Sequence, residues 1–221
     1  MSSRLSSPHA PVRNASLPPP LRGFEHVNRY WDRERGQFSA KILPGEYYVT
    51  VQDELIATVL GSCVSACVRD PVFAIGGMNH FMLPDDGTGH PAIASATSLS
   101  AAARYGNYAM EHLINDVLKN GGRRENLEIK IFGGGRILAQ MTDVGRRNIV
   151  FVRDYLRTEG FEVAAEDLGD IHPRKVVYSP TTGKVFIKKL RSLHNNTIVE
   201  RETAYLDALV KQPVAGEIDL F

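Results

Sequence analysis

Apolar residues along this chain come in short runs separated by turn-forming clusters, and in two places they recur with a helical period. Tyr47-Tyr48-Val49-Thr50-Val51 is rich in β-formers, and Leu55 to Leu60 follows after the polar Gln52-Asp53-Glu54. Val64 to Val68 reads as a short apolar strand ended by Arg69-Asp70-Pro71. Val72 to Ile75 and Met78 to Leu83 read as two more strands, separated by Gly76-Gly77. Asp85 to Pro91 contains only turn-formers and predicts an exposed loop.

The first helical period starts at Ser98 or Ser100. Tyr105, Ala109, Leu113 and Val117 recur every fourth residue, flanked by Met110, Ile114 and Leu118. Asn120-Gly121-Gly122 ends it. A strand over Leu127 to Phe132 then feeds Gly133-Gly134-Gly135. The second helix spans about Gly145 to Thr158, burying Ile149, Val152 and Leu156, and stops at Gly160. Phe161 to Ala165 is again a strand. Val176 to Ser179 and Lys184 to Leu190 flank the hairpin loop Pro180-Thr181-Thr182-Gly183. A last helix runs from Val199 to Lys211. Seven or eight strands with two core helices predict an α/β or α+β layered fold with a mostly antiparallel or mixed sheet.

The ends differ in composition. Met1 to Arg22 is rich in Ser, Pro and Arg, has no acidic residue, and carries five prolines, so it reads as a flexible extension rather than a targeting helix. Phe24 to Ala40 mixes aromatics with Arg and Glu, as an arm packing on the domain would. The expected organisation is an extension or arm over 1–43, one domain over 44–191, and a C-terminal helix and tail over 192–221. The formal net charge of +1 gives no basic field for nucleic acid. No apolar run is long enough for a bilayer. Cys63 and Cys67 are too few and too close for a disulfide framework, which points to a reducing, cytoplasmic setting.

Gly61-Ser62-Cys63 stands at the turn between two apolar strands. A cysteine there is surrounded by exposed backbone N–H groups, which suit the negative oxygen formed when a thiolate attacks a carbonyl. Such a nucleophile needs a base, and His80 stands seventeen residues on, inside an apolar strand. Thr58, Ser62 and Asn79 are the local groups that could orient the ring. Spacing alone leaves the bland reading open as well: buried cysteine and buried histidine are common in cores. Cys67 reads as core. Cys63, Cys67 and His80 lack a structural zinc spacing and an evident fourth ligand. Phe132-Gly133-Gly134-Gly135-Arg136 lacks the ending of a phosphate loop, so tight packing near a site fits it better. His90 and His172 lie in turn-rich segments where solvated histidines are the default.

Several segments together resemble the chemoreceptor glutamine deamidases, the CheD family. They are Thr58-Val59-Leu60-Gly61-Ser62-Cys63-Val64, then Gly76-Gly77-Met78-Asn79-His80-Phe81-Met82-Leu83-Pro84. Arg104 to Met110, Lys130 to Gly135, Gly145 to Asn148, Asp167 to Gly169 and Pro173 to Val176 follow in order. The resemblance spans about Tyr47 to Lys189. It implies a layered α/β/α sandwich akin to the deamidase domain of cytotoxic necrotizing factors. It also implies hydrolysis of glutamine carboxamides on methyl-accepting chemotaxis receptors, with Cys63 as nucleophile, His80 as base and no cofactor. A further implied partner is a chemotaxis phosphatase, and binding to it is the alternative role. Family members with a catalytic threonine have it six residues before the cysteine. Ala57 stands there and Thr58 one later, so the third role passes to Thr58 if the strand bulges, to another group, or to none.

Overall fold

The computed structural model describes residues 17–83, 96–137, 144–190 and 196–211. The predicted loop over Asp85 to Pro91, with His90, lies outside them. Among the described residues, two five-stranded mixed sheets and three α-helices make an α/β architecture.

The first sheet is ordered β1 (Asn28–Asp32), β2 (Gln37–Lys41), β4 (Leu55–Leu60), β9 (Arg174–Tyr178) and β10 (Val185–Lys189). The second runs β3 (Tyr47–Thr50), β6 (Ile75–Asn79), β5 (Val64–Asp70), β7 (Glu128–Gly133) and β8 (Val163–Leu168). The β2–β4 and β7–β8 pairs are parallel and the others antiparallel. Helix α1 (Ala96–Lys119) packs on β3, β5 and β6 and also meets α2 (Val144–Thr158), so the two core helices share one face of the second sheet. Its predicted stripe is the buried one: Met110, Leu113, Ile114 and Val117 are all in the core, each worth roughly 1.5–3 kcal/mol against exposure. Helix α3 (Asn196–Lys211) contributes Leu206 to that core.

Two segments differ from the hydrophobic pattern. The stretch predicted as an arm contains strands β1 and β2, a hairpin on the edge of the first sheet. A buried acid holds it there: Glu54 pairs with Arg29 at 2.9 Å and accepts from the Tyr48 and Thr50 hydroxyls at 2.7 and 2.6 Å. Residues 72–74, predicted as strand, form an exposed turn. Asp70 Oδ1 accepts from the Val72 and Phe73 amides at 2.8 and 3.1 Å, and Ala74 takes φ 53°, so a side-chain-capped turn outcompetes the apolar run. Gly76 and Gly77 then lie inside β6 rather than between strands. A Cβ on Gly77 would stand 2.4 Å from the Tyr48 carbonyl and 2.8 Å from Leu113, so its absence lets β3 and α1 approach.

Candidate active site

Residues 61–63 link the end of β4 in one sheet to the start of β5 in the other, so the loop sits where the two sheets meet. Every carbonyl of this loop is held from outside. The Gly135 amide donates to Gly61 O and the Gly134 amide to Cys63 O, both at 2.7 Å. Asn148 of α2, fully buried, donates Nδ2 to Ser62 O at 2.9 Å and accepts from the Leu83 amide at 2.9 Å. With its carbonyls tied back, the loop turns the Gly61, Ser62 and Cys63 N–H groups inward together. Three converging amides form an anion-binding concavity beside the thiol.

The glycine triplet is therefore a brace for this loop. Gly133 has φ +112°, and a Cβ there would lie 2.2 Å from Cys63 O. Its neighbour Asp170 accepts at the main chain from Arg136 N at 2.8 Å, and Gly169 N donates to Gly133 O at 2.9 Å. Fully buried Arg174 fastens that outer loop through the Asp167 carboxylate and the Asp167 and Gly169 carbonyls.

His80 follows β6 and is pinned by its own backbone. Its amide donates to Glu46 O at 2.9 Å and its carbonyl accepts from Gly45 N at 2.7 Å, while Phe81 bridges to Val64 in both directions. The imidazole is buried, and a ring nitrogen, the Cys63 sulfur and a Glu202 oxygen all lie within 4.8 Å of one another. Of the three local orienting groups, Thr58 meets the ring, with Oγ1 at 2.7 Å from Nδ1. Asn79 points elsewhere, accepting from Ala66 N at 2.7 Å and donating to Ala109 O at 3.0 Å. Ser62 donates to Glu202 at 2.7 Å. No bulge is needed: β4 pairs with β9 in unbroken register, and Thr58 shares the inward face with Ile56 and Leu60. Ala57 lies on the outer face with Leu55 and Val177.

The charges are set by burial. His80 is held down at about 3, first by desolvation and then by the Arg201 guanidinium, so the ring is neutral. Burial pushes the Cys63 thiol well above its ordinary range, and the Glu202 carboxylate pushes it the same way. Cys67 is likewise buried and raised, inside β5 near Tyr178, a core position.

Glu202 has no counterpart among the residues singled out from the sequence. It comes from α3, and its carboxylate takes the Gly61 and Ser62 amides at 2.9 Å each, the Cys63 amide at 3.4 Å and the Ser62 hydroxyl. Cys63, His80 and Glu202 form the one set among the described residues with metal-ligand spacing, but the Glu202 oxygens are already turned to N–H and O–H donors. A signal for Glu202 was present: it stands four residues before Leu206 on the buried stripe of an otherwise solvated helix.

The chemotactic sensory transduction family CheD matches residues 82–189, a span that begins after Thr58, Cys63 and His80. Similarity to individual proteins extends further. A probable chemoreceptor glutamine deamidase CheD of Hahella chejuensis is 58% identical over 206 residues, 92% of this chain and 96% of its own. Its namesake in Halorhodospira halophila is 56% identical over 209 residues, covering 95% and 96% of the two chains. That of Saccharophagus degradans is 49% identical over 210 residues, 94% and 96%.

Proposed function

The chain belongs to the CheD family, and from that premise we propose that it deamidates glutamine side chains of chemoreceptors through Cys63, His80 and Thr58. It is a protein-glutamine glutaminase acting in chemotaxis. The observation that supports these residue roles best is the line Thr58–His80–Cys63 ending at three converging amides.

Thr58 has one hydroxyl proton and two partners. Ile42 O, at 2.9 Å, can only accept, so satisfying both bonds makes Thr58 Oγ1 the acceptor for His80 Nδ1–H. Nε2 then carries the lone pair, and it is the ring nitrogen left without a hydrogen-bond partner. In our mechanism Nε2 takes the Cys63 proton as sulfur adds to the glutamine carbonyl carbon. The carbonyl oxygen becomes negative within reach of the 61–63 amides. The imidazolium gives its proton to the departing nitrogen, the C–N bond breaks, and ammonia leaves a thioester. Water, deprotonated by the same nitrogen, adds to the thioester; the C–S bond breaks, restoring the thiol and leaving glutamate.

We assign the receptor's cytoplasmic helical region as the substrate partner and the cytoplasm as the place of action, where two free cysteines stay reduced. No described helix is long and apolar enough to cross a membrane. Binding of a chemotaxis phosphatase is compatible with the same fold as a second role. The test is mass spectrometry of purified receptor after incubation with wild-type or Cys63→Ala protein. Gln→Glu conversion with the first and none with the second is expected; equal conversion by both overturns the assignment of Cys63.

A further inference from the structure

The carboxylate of Glu202 occupies the place our mechanism gives to the reacting group. It lies on the three loop amides, within 4.8 Å of the Cys63 sulfur, in the middle of helix α3 (Asn196–Lys211), which packs across the site. Its side chain is chemically the product of glutamine deamidation. It also accepts from the amides rather than from the His80 ring, whose Nδ1 belongs to Thr58, so it does not stand where a ring-orienting acid would.

The seat is shaped for the helix. A Cβ on Gly61 would be 2.7 Å from a Glu202 oxygen, and one on Gly45 would be 2.8 Å from Tyr205 Oη. The Gly45 position leaves room that α3 fills, and the Gly61 position leaves room that α3 shares with Ile137, whose Cδ1 would be 2.2 Å from that Cβ. Tyr205 also bonds Tyr105 of α1 through their hydroxyls, Leu206 enters the core, and Arg201 lines the cavity of about 250 Å³ beside Thr58 and His80. Anchors at 201, 202, 205 and 206 are the spacing with which a helix lies in a groove. While α3 is seated, the nucleophile is covered and the anion-binding amides are taken.

We propose that α3 is a built-in product mimic: Glu202 holds the catalytic pocket closed until α3 withdraws, and a receptor glutamine carried on a helix enters the same groove. This rests on the deamidase reading given above. Its consequence is that substrate competes with an intramolecular helix. If about nine-tenths of molecules are closed, apparent affinity is reduced about tenfold.

The test uses the full chain with Glu202→Gln. A carboxamide seated on the loop amides is itself a substrate. Sulfur adds to its carbonyl carbon, ammonia leaves with the His80 proton, and water releases the thioester, restoring Glu202 and the thiol. Peptide mass spectrometry is expected to find glutamate at 202 in Glu202→Gln and glutamine at 202 when Cys63→Ser is added. Persistence of glutamine at 202 in a preparation that still deamidates receptor overturns the closed helix and leaves the deamidase reading intact. Failure of Glu202→Gln to convert either one, while wild type still deamidates receptor, overturns the closed helix alone; failure of wild type as well overturns both. In parallel, Glu202→Ala should raise kcat/KM on receptor about tenfold and speed iodoacetamide labelling of Cys63. A fall in both, with an unchanged urea midpoint, would make Glu202 a support of the working loop and overturn the proposal.

Discussion

Thr58 Oγ1 lies 2.7 Å from His80 Nδ1 and 2.9 Å from the Ile42 carbonyl oxygen, and its single proton can serve only one of them. The carbonyl takes it, so the hydroxyl selects the imidazole tautomer that leaves Nε2 free. Thr58→Val keeps the shape of the side chain and removes that selection. Deamidation should fall about 10²-fold, the low end of what a general base contributes, mostly in kcat. Thr58→Ser should recover most of it. Equal kcat for Thr58→Val and wild type, measured by ammonia release from receptor, would remove threonine from the mechanism.

The reach of the sequence is visible at this same site. Gly61-Ser62 before Cys63 and an isolated histidine in an apolar run mark the two ends of the proposed chemistry, because both violate the local pattern. Thr58 could not be separated from Ser62 and Asn79, since all three are short and polar and only the strand's facing decides among them. The β1–β2 hairpin was hidden by Arg29, a charge that reads as solvent-exposed until Glu54 is found buried beneath it. Glu202 lies about 140 residues from the amides it binds, a separation over which periodicity carries no information.

His80 also leaves a signature in stability. Its ordinary pKa of 6.5 is lowered to about 3 in the folded protein by burial and by Arg201. Between those values the unfolded chain binds a proton that the folded chain refuses, so stability is full above about pH 6.5 and falls as pH drops through the window. The slope from this one group approaches about 1.4 kcal/mol per pH unit. In His80→Gln that share disappears. Urea midpoints measured from pH 7 to pH 4 should therefore fall less steeply in His80→Gln than in wild type, and parallel curves would contradict a neutral buried ring.

Asn148 joins helix α2 to the proposed nucleophile loop through Ser62 O and to the segment after β6 through Leu83 N. Asn148→Ala leaves both buried and unpaired, at about 1–3 kcal/mol each. Asn148→Asp keeps the acceptor for Leu83 N but sets an oxygen against Ser62 O. Both variants should unfold at lower urea, and in both the residual folded enzyme should lose kcat, because the Cys63 amide is no longer aimed by a fixed Ser62 carbonyl. A variant with full kcat would place the control of that loop entirely in the glycine triplet.

The triplet's own role separates backbone conformation from space. Gly133 and Gly160 both take positive φ, +112° and +72°. A Cβ at Gly160 meets nothing within 4 Å, whereas one at Gly133 stands 2.2 Å from Cys63 O and 3.1 Å from Val64 Cα. Gly160→Ala therefore bears only the left-handed strain, about 1–2 kcal/mol. Gly133→Ala bears comparable strain and must also push Cys63 off its brace. It should cost more than about 3 kcal/mol in urea unfolding and abolish deamidation in whatever protein folds, while Gly160→Ala keeps full kcat. If the two alanine variants lose equal stability and both stay active, β7 and the nucleophile loop are not the rigid pair that their contact implies.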